Sequence, residues 1–219
     1  MSHPAPSKRT HVRRLPDRAR YDFDTLAAVI DSAPICTIAF NWEGSVHALP
    51  TAHWREGEHL YIHGARASRM LRALAAGECC VTLSHVDGLV YARSAFHHSM
   101  NYRSAVIYGR FAELEEAAKE ASLRAFIEHL SPGRWDQLRP INAKELYATT
   151  LLRLPLHEAV VKMRSGGPKD DDEDMAWPVW AGVVPLRLAA GEAQTAPDSV
   201  VGEIPAKLGG ALLAHPPQR

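Results

Sequence analysis

The sequence contains few cysteines, and their spacing indicates neither a metal site nor a disulfide framework. Cys36, Cys79 and Cys80 are the three cysteines among 219 residues. Their number is odd, two are adjacent, and no CxxC spacing occurs. All three lie in apolar segments, ICTIAF and ECCVTL. We therefore predict buried free thiols in a reducing compartment.

The sequence also lacks long hydrophobic runs and an excess of charge of either sign. No apolar run approaches the roughly 20 residues that span a bilayer, and the basic N-terminus lacks the apolar stretch of a secretory signal. Lys+Arg and Asp+Glu both number 25, which gives a formal net charge of +0. Proteins dedicated to nucleic acids carry an excess of cations. These observations predict a cytoplasmic protein that binds neither membranes nor nucleic acid.

Several motifs of common enzyme classes are missing. The chain has no GxGxxG or GxxxxGK[ST] loop and no βαβαβ alternation, which argues against a doubly wound nucleotide fold. It has no GxSxG elbow of a serine hydrolase. It also has no HExxH and no matching carboxylate set, and we predict no metal site.

The apolar pattern predicts a mainly β protein with peripheral helices. A short helix capped by Asp24 precedes two consecutive hairpins between residues 35 and 64, which imply a continuous antiparallel meander. A helix then begins near Ser68 and ends at Gly77. The later predicted strands are CCVTLS, GLVYARSAF, YRSAVIYGRFAEL, TTLLRLPLHEAVVKMR (kinked at Pro155) and PVWAGVVPLRL, and the later predicted helices are EEAAKEASLRAFIEHL and GRWDQLRPINAKELYA (broken at Pro140). Six or seven short strands with one helix inserted favour a closed or partly closed antiparallel barrel.

The chain divides into an arm, one domain and a tail. Residues 1–20 are rich in arginine and lysine, without apolar periodicity, and are predicted to be mobile or to lie on a partner subunit. Residues 21–190 form the single domain, and residues 191–219 form an Ala/Pro/Gly-rich tail. Within the domain, residues 166–176 are an acidic loop whose five consecutive acidic residues (170–174) are predicted to lie in water.

The segment YIHGARASRMLRAL places a strand end directly before a helix start. Free backbone N–H groups at a helix start attract an anion. Ser68 adds a hydroxyl there, and Arg66 and Arg69 lie three residues apart on neighbouring faces. The segment thus predicts a site for a terminal phosphate. The alternative is that Ser68 only caps the helix and that the arginines are solvated.

A second polar segment, FHHSMNYRSAVIYGR, leads into a strand. Tyr102, Arg103 and Ser104 open that strand, where they can face a ring edge or a phosphate. His97 and His98 are candidate acid/base groups or metal ligands. Neighbouring residues of a strand point to opposite faces, so they cannot both ligate one ion unless the loop bends.

Together, HGxxxSR before a helix and MNYRSxxxxGR on a strand resemble the pyridoxamine 5′-phosphate oxidase-like superfamily. The most similar branch is the one that binds flavin nucleotides and includes nitroimidazole-resistance proteins. The resemblance spans roughly residues 20 to 188. It implies an antiparallel, Greek-key-like split β-barrel that forms a homodimer and holds FMN in a groove shared by both subunits.

The resemblance also assigns site residues. Ser68 and Arg69 correspond to the pair that grips the FMN phosphate, beside Arg66. Four other segments would contact FMN: Tyr61, Ile62 and His63 beneath the ribityl chain and ring; Leu49, Pro50 and Thr51 along the isoalloxazine; Arg103 and Ser104 near the phosphate or ring; and Trp180 from the C-terminal strand. Two departures stand out. Met70 replaces a lysine common in the oxidases, and only Arg187 remains of their substrate-phosphate strand. A substrate without phosphate is therefore expected.

Three functional hypotheses follow from these residues. The first is an FMN-dependent oxidoreductase acting on a small molecule, with NAD(P)H as a candidate electron donor. In it the protein anchors the phosphate, packs the ring and shields one face, and His63, His97 and His98 are the candidate proton donors. The second is a flavin- or haem-binding or sensing protein without turnover, in which one of these histidines binds the haem. The third is a colourless interaction module that uses the basic arm and the acidic loop.

Overall fold

The computed structural model describes residues 3–205, 208 and 209, so the predicted tail lies partly outside the described residues. The strands of this part of the chain are β1 (Ala19–Arg20), β2 (Cys36–Trp42), β3 (Ser45–Thr51), β4 (Trp54–Glu56), β5 (His59–Ala65), β6 (Glu78–Tyr91), β7 (Ser99–Arg110), β8 (Ala112–Glu113), β9 (Thr149–Pro155), β10 (Ala159–Arg164) and β11 (Gly182–Pro185). Its α-helices are α1 (Phe23–Ser32), α2 (Arg69–Ala76), α3 (Glu116–Leu130) and α4 (Ala143–Ala148). Short 3-10 turns lie at Pro16–Arg18, Ala95–His97, Trp135–Gln137 and Asp172–Asp174.

The strands form two antiparallel sheets around one core. The larger, seven-stranded sheet has the order β1-β10-β7-β6-β2-β3, with β11 paired to β6, and the four-stranded sheet has the order β4-β5-β9-β8. Ile38 and Ile107 of the larger sheet share a cluster with Ile62 and Leu154 of the smaller one. This architecture confirms the predicted mainly β class and the split β-barrel.

The two predicted hairpins are present, but they belong to different sheets. The β2–β3 loop is a two-residue turn in which Glu43 and Gly44 both have positive φ, the geometry of a type I′ turn. The chain leaves the larger sheet after Thr51, and β4 pairs with β5 in the smaller sheet. The expected continuous meander is therefore wrong. His53 occupies the crossing, buried, with its Nε2 3.1 Å from the carbonyl oxygen of Ile30.

Two other strand boundaries differ from the prediction. CCVTLS and GLVYARSAF contribute to one strand, β6, because a register shift between Val86 and Gly88 lets the ladder with β7 continue past Asp87. The predicted strand TTLLRLPLHEAVVKMR is instead two strands in different sheets, since β9 ends at Pro155. The last strand, β11, is also shorter than predicted, and Trp180 precedes it.

The helix α1 begins two residues earlier than predicted. Its N-cap is Asp22, whose carboxylate accepts a hydrogen bond from the Thr25 amide at 2.8 Å. Asp24, the predicted cap, lies inside the first turn. The helix buries Leu26, Val29 and Ile30 against the core. Asp22 takes the cap because its backbone is extended, as capping requires.

The N-terminal arm and the acidic loop are both docked on the domain. Arg9 donates two hydrogen bonds to Glu158, and β1 pairs with β10, so part of the arm that was predicted to be mobile or to lie on a partner subunit extends the larger sheet. The side chain of Asp170 is 1% exposed and accepts hydrogen bonds from the Arg93 backbone and guanidinium. The prediction of a wholly solvated acidic run is thus wrong at this residue, because Arg93 compensates its charge.

The cysteines are free, and two of them are buried as predicted. Cys36 and Cys79 lie in the core, whereas Cys80 is half-buried. Burial raises the pKa of Cys36 and of Cys79 to about 12. Both are therefore unreactive thiols at neutral pH.

Buried histidines make the stability of the fold depend on pH. Burial lowers the pKa of His53 to about 4, from an ordinary 6.5. The unfolded chain therefore binds the proton first as pH falls, so the free energy of unfolding should drop by roughly 2–3 kcal/mol between pH 6.5 and pH 4. Burial lowers the pKa of His63, His85 and His129 as well, and these act in the same direction.

Denaturant unfolding at a series of pH values measures this effect. His53→Gln should flatten the curve between pH 6.5 and pH 4 without abolishing its slope. His11→Gln, at an exposed position of the arm, should leave the curve unchanged. A wild-type stability that is constant over this interval would contradict the assignment.

Candidate functional site

The junction between β5 and α2 is held by a tight turn. The Ser68 amide donates to the Ala65 carbonyl at 2.8 Å, and the Arg66 amide donates to the Ala148 carbonyl at 2.9 Å. Gly64 lets α2 pack against the strand end, since a Cβ there would lie 3.1 Å from the Leu71 side chain. The turn therefore presents the start of α2 at a defined position on the barrel.

Ser68 is the N-cap of α2, as the sequence predicts. Its hydroxyl oxygen accepts from the Leu71 amide at 3.4 Å. A hydroxyl that accepts one hydrogen bond keeps its own hydrogen for donation. Capping and anion binding are therefore compatible in this half-buried side chain.

The start of α2 carries positive charge that no acidic side chain in the described part of the chain neutralises. Arg69 and Arg72 are exposed, and the Arg66 guanidinium lies over the Tyr147 ring at 4.4 Å from its centroid. Among the described residues none of these three arginines has an acidic partner, and the first turn contains no acidic residue. We call Arg66, Ser68 and Arg69 the helix-start cluster. Its donors and charge fit a phosphate group. The sequence contained no signal for the Tyr147 contact.

The three residues of β5 that were expected to contact FMN pack against other side chains of the same chain. Tyr61 stacks on Trp54 with ring centroids 5.7 Å apart, and Ile62 is in the core. His63 lies between Trp54 and Phe126, with ring centroids 5.7 and 4.9 Å away. Burial lowers the pKa of His63, so this imidazole is neutral at neutral pH. Tyr61 and His63 thus face the cluster beneath α3, whereas Ile62 faces the core.

Residues 49–51, which were expected to lie along the isoalloxazine, belong to β3, the edge strand of the larger sheet. Within the described ranges β3 pairs with β2 alone, and Leu49 and Pro50 are exposed whereas Thr51 is half-buried. α2 packs against β2, the neighbour of β3. One free backbone edge thus lies on the part of the barrel that carries α2, where it can bind a flat polar ring edge.

Arg103 and Ser104 are engaged by protein groups. The Arg103 guanidinium donates two hydrogen bonds of 2.9 Å to Asp87 and one of 3.3 Å to the Ser32 hydroxyl. The Ser104 hydroxyl donates to the Lys162 carbonyl at 3.2 Å. The structure thus places Arg103 under α1, without a contact to the helix-start cluster among the described residues. Sequence reasoning missed Asp87, although an Asp-Gly pair inside a strand is a signal for a bulge.

A group of exposed rings surrounds Trp180. Its indole lies over Gly182, where a Cβ would be 2.7 Å from the ring, and it tilts against Tyr91 at 5.7 Å between centroids. Tyr91 meets the His98 ring edge-on at 5.8 Å. We call Tyr91, His98 and Trp180 the aromatic surface. Large exposed rings beside one another are typical of a binding surface.

The adjacent histidines have different partners. The Nε2 of His97 lies 3.1 Å from the Asp171 carboxylate, and the Nδ1 of His98 lies 2.9 Å from the Ser94 carbonyl oxygen. The remaining candidate, His63, lies under α3 instead. The structure therefore does not gather the three predicted proton donors into one group.

Within the described part of the chain, no helix is both long and apolar enough to cross a membrane.

Comparison with known proteins decides the family. The sequence profile described as pyridoxamine 5′-phosphate oxidase matches residues 22–163. The chain belongs to the pyridoxamine 5′-phosphate oxidase family. This confirms the resemblance seen in the sequence. No curated protein sequence matches the chain.

Two solved structures resemble the chain over almost its whole length. The flavocytochrome Anf3 from Azotobacter vinelandii is 41% identical over 95% of this chain and 97% of that chain, with a TM-score of 0.87. An FAD and heme binding protein from Mycobacterium smegmatis is 37% identical over 89% of this chain and 98% of that chain, with a TM-score of 0.84.

A third solved structure shares the fold of this oxidase family at lower identity. It is a candidate 5-nitroimidazole antibiotic resistance protein from Bacteroides thetaiotaomicron, 18% identical over 66% of this chain and 85% of that chain, with a TM-score of 0.56. At this identity the likeness shows the split barrel alone.

Proposed function

We propose that this protein is a flavocytochrome, a redox protein that binds a flavin nucleotide and a haem. The proposal rests on the likeness to two proteins over nearly the full length of each. One is described as a flavocytochrome and is 41% identical to this chain, and the other is described as binding FAD and heme and is 37% identical. The helix-start cluster and the aromatic surface supply suitable groups for the two cofactors. Flavin exchanges one or two electrons and haem exchanges one, so the pair supplies electron-transfer chemistry when bound.

The flavin phosphate is assigned to the helix-start cluster. Ser68 has a hydrogen to donate, Arg69 offers a planar fork of donors, and Arg66 adds charge held in place by Tyr147. The family resemblance implies FMN, whereas the relative from M. smegmatis is described as binding FAD. We propose FAD, because that relative shares 37% identity with this chain. Both nucleotides carry a phosphate after the ribityl chain, and this cluster fits that phosphate in either one.

A haem needs a protein ligand for its iron, which in many proteins is a histidine nitrogen, and an apolar surface. His63, His97 and His98 are the histidines predicted from the sequence for this role. The aromatic surface brings exposed rings next to one of them, His98. The side chains of the aromatic surface would pack against the haem and exclude water from one of its faces.

We propose a homodimer with the flavin in a groove between the subunits. The edge strand β3 exposes Val46 (77%) and Leu49 (41%). Burying such apolar side chains against a second copy would stabilise the assembly by roughly 25 cal/mol per Å². Analytical ultracentrifugation should find a dimer of the flavin-loaded protein. A flavin-loaded monomer would contradict the shared groove.

The absorbance spectrum of the purified protein tests the proposed function. We expect the two bands of a flavin together with the Soret band of a haem, both changing on reduction with dithionite. Heat release followed by mass spectrometry identifies the flavin, with FAD expected and FMN as the other outcome. A colourless protein that takes up neither cofactor would refute the proposal and favour an interaction module.

A flavin-dependent oxidoreductase without haem is the second candidate. Its support is the family, which is described by an oxidase activity. This candidate predicts a yellow protein that has no Soret band after hemin addition. NAD(P)H should bleach its flavin absorbance, and oxygen should restore it.

A further inference from the structure

His98 is held in one tautomer by the loop that precedes β7. Its Nδ1 lies 2.9 Å from the Ser94 carbonyl oxygen, which can only accept a hydrogen bond. Nδ1 therefore carries the hydrogen, and the lone pair of the neutral ring is on Nε2. A hydrogen bond from one ring nitrogen to a carbonyl is the usual support of a histidine whose other nitrogen binds a metal.

The loop that carries His98 is fastened on both sides. Asp170 accepts hydrogen bonds from the Arg93 amide at 2.7 Å and from its guanidinium at 2.8 Å, and this carboxylate is almost completely buried. Asp171 binds His97 at 3.1 Å. These contacts limit the motion of the loop, so the His98 ring keeps its position beside Tyr91.

The other candidate histidines are less suited to ligate an iron. The Nε2 of His97 is already engaged by a carboxylate. In His53 and His85 the Nε2 atoms lie 3.1 Å from the carbonyl oxygens of Ile30 and Val29. The ring of His63 is packed between Trp54 and Phe126. Among the described residues, His98 alone has a carbonyl on Nδ1 and an exposed ring against exposed aromatic side chains.

We propose that the Nε2 atom of His98 is an axial ligand of a haem that lies against the aromatic surface. The inference rests on the haem part of the proposed function and adds the ligand and the location. The Nε2 lone pair forms the bond to the iron and displaces a water molecule from it. The nitrogen carries no proton in this tautomer, so the bond forms without proton release, and the oxidation state of the iron does not change.

Titration of haem-free full-length protein with hemin tests the assignment. Wild type should develop the shifted Soret band of a histidine-ligated haem. His98→Ala should bind hemin at least 10-fold more weakly and lack that shift, and added free imidazole should restore the wild-type spectrum. The exposed His157→Ala should keep it. Flavin fluorescence quenching, measured on each variant, reports whether the barrel is folded.

The possible results distinguish a wrong ligand assignment from a wrong proposal of haem binding. A wild-type spectrum and affinity in His98→Ala would overturn the ligand assignment while leaving haem binding intact. Loss of the Soret shift in His97→Ala but not in His98→Ala would overturn it as well. Absence of hemin binding by wild type would refute the haem part of the proposed function, and the ligand assignment with it.

Discussion

Removing both Arg66 and Arg69 should weaken flavin binding by about 3–5 kcal/mol, a loss of roughly 10²- to 4 × 10³-fold in affinity. Each arginine is expected to make a charge-assisted hydrogen bond to a phosphate oxygen. Neither has an acidic partner among the described residues that would hold it elsewhere. Arg69→Ala alone should cost about 1.5–3 kcal/mol. Isothermal titration calorimetry with FMN and with FAD measures both effects.

The matched control removes the same charge from the arm. Arg13 and Arg14 are exposed, and the side chain of neither forms an ion pair in the part of the chain that the structure describes. The double variant Arg13→Ala/Arg14→Ala should bind flavin like wild type. Equal affinity of the Arg66→Ala/Arg69→Ala variant and wild type would show that the phosphate lies elsewhere.

Trp54→Ala should lower the free energy of unfolding by about 3–5 kcal/mol. Trp54 is 1% exposed and stacks between Tyr61 and Phe126, in a cluster that joins β4 to α3. Its Nε1 also donates to Glu56 at 2.9 Å. Replacement by alanine opens a cavity and leaves that carboxylate with one donor fewer. Denaturant unfolding of the cofactor-free protein measures the change.

An exposed tryptophan provides the comparison for Trp54. Trp177 is 67% exposed, and Trp177→Ala should change the free energy of unfolding by less than about 0.5 kcal/mol. The same assay compares the two variants. A similar small effect in Trp54→Ala would mean that the α3 cluster contributes little to stability.

Local features of the chain were predictable because they depend on neighbouring residues. The Glu43–Gly44 turn, the Ser68 cap and the helix α3 all follow from residue types within a few positions. The helix-start cluster belongs to this class. Its turn, cap and arginines lie within a few residues, so the sequence alone was enough to propose the phosphate site.

Features that depend on partners far along the chain were not predictable. The Asp87–Arg103 pair joins residues 16 positions apart across a bulged hairpin, and Asp170 meets Arg93 across 77 positions. The division of TTLLRLPLHEAVVKMR between two sheets depends on which strand each half of the segment pairs with. A charged or apolar residue carries no information about which distant group will compensate or cover it.

The order of residues was sufficient for the β class, the family motifs, the buried thiols Cys36 and Cys79 and the start of α2, since each is a local pattern of polarity and turn chemistry. Tertiary packing alone decided which ring nitrogen of each of two adjacent histidines is engaged. His97 and His98 are neighbours in sequence and equivalent in chemistry. Only the folded loop brings a carboxylate to the Nε2 of one and a carbonyl to the Nδ1 of the other.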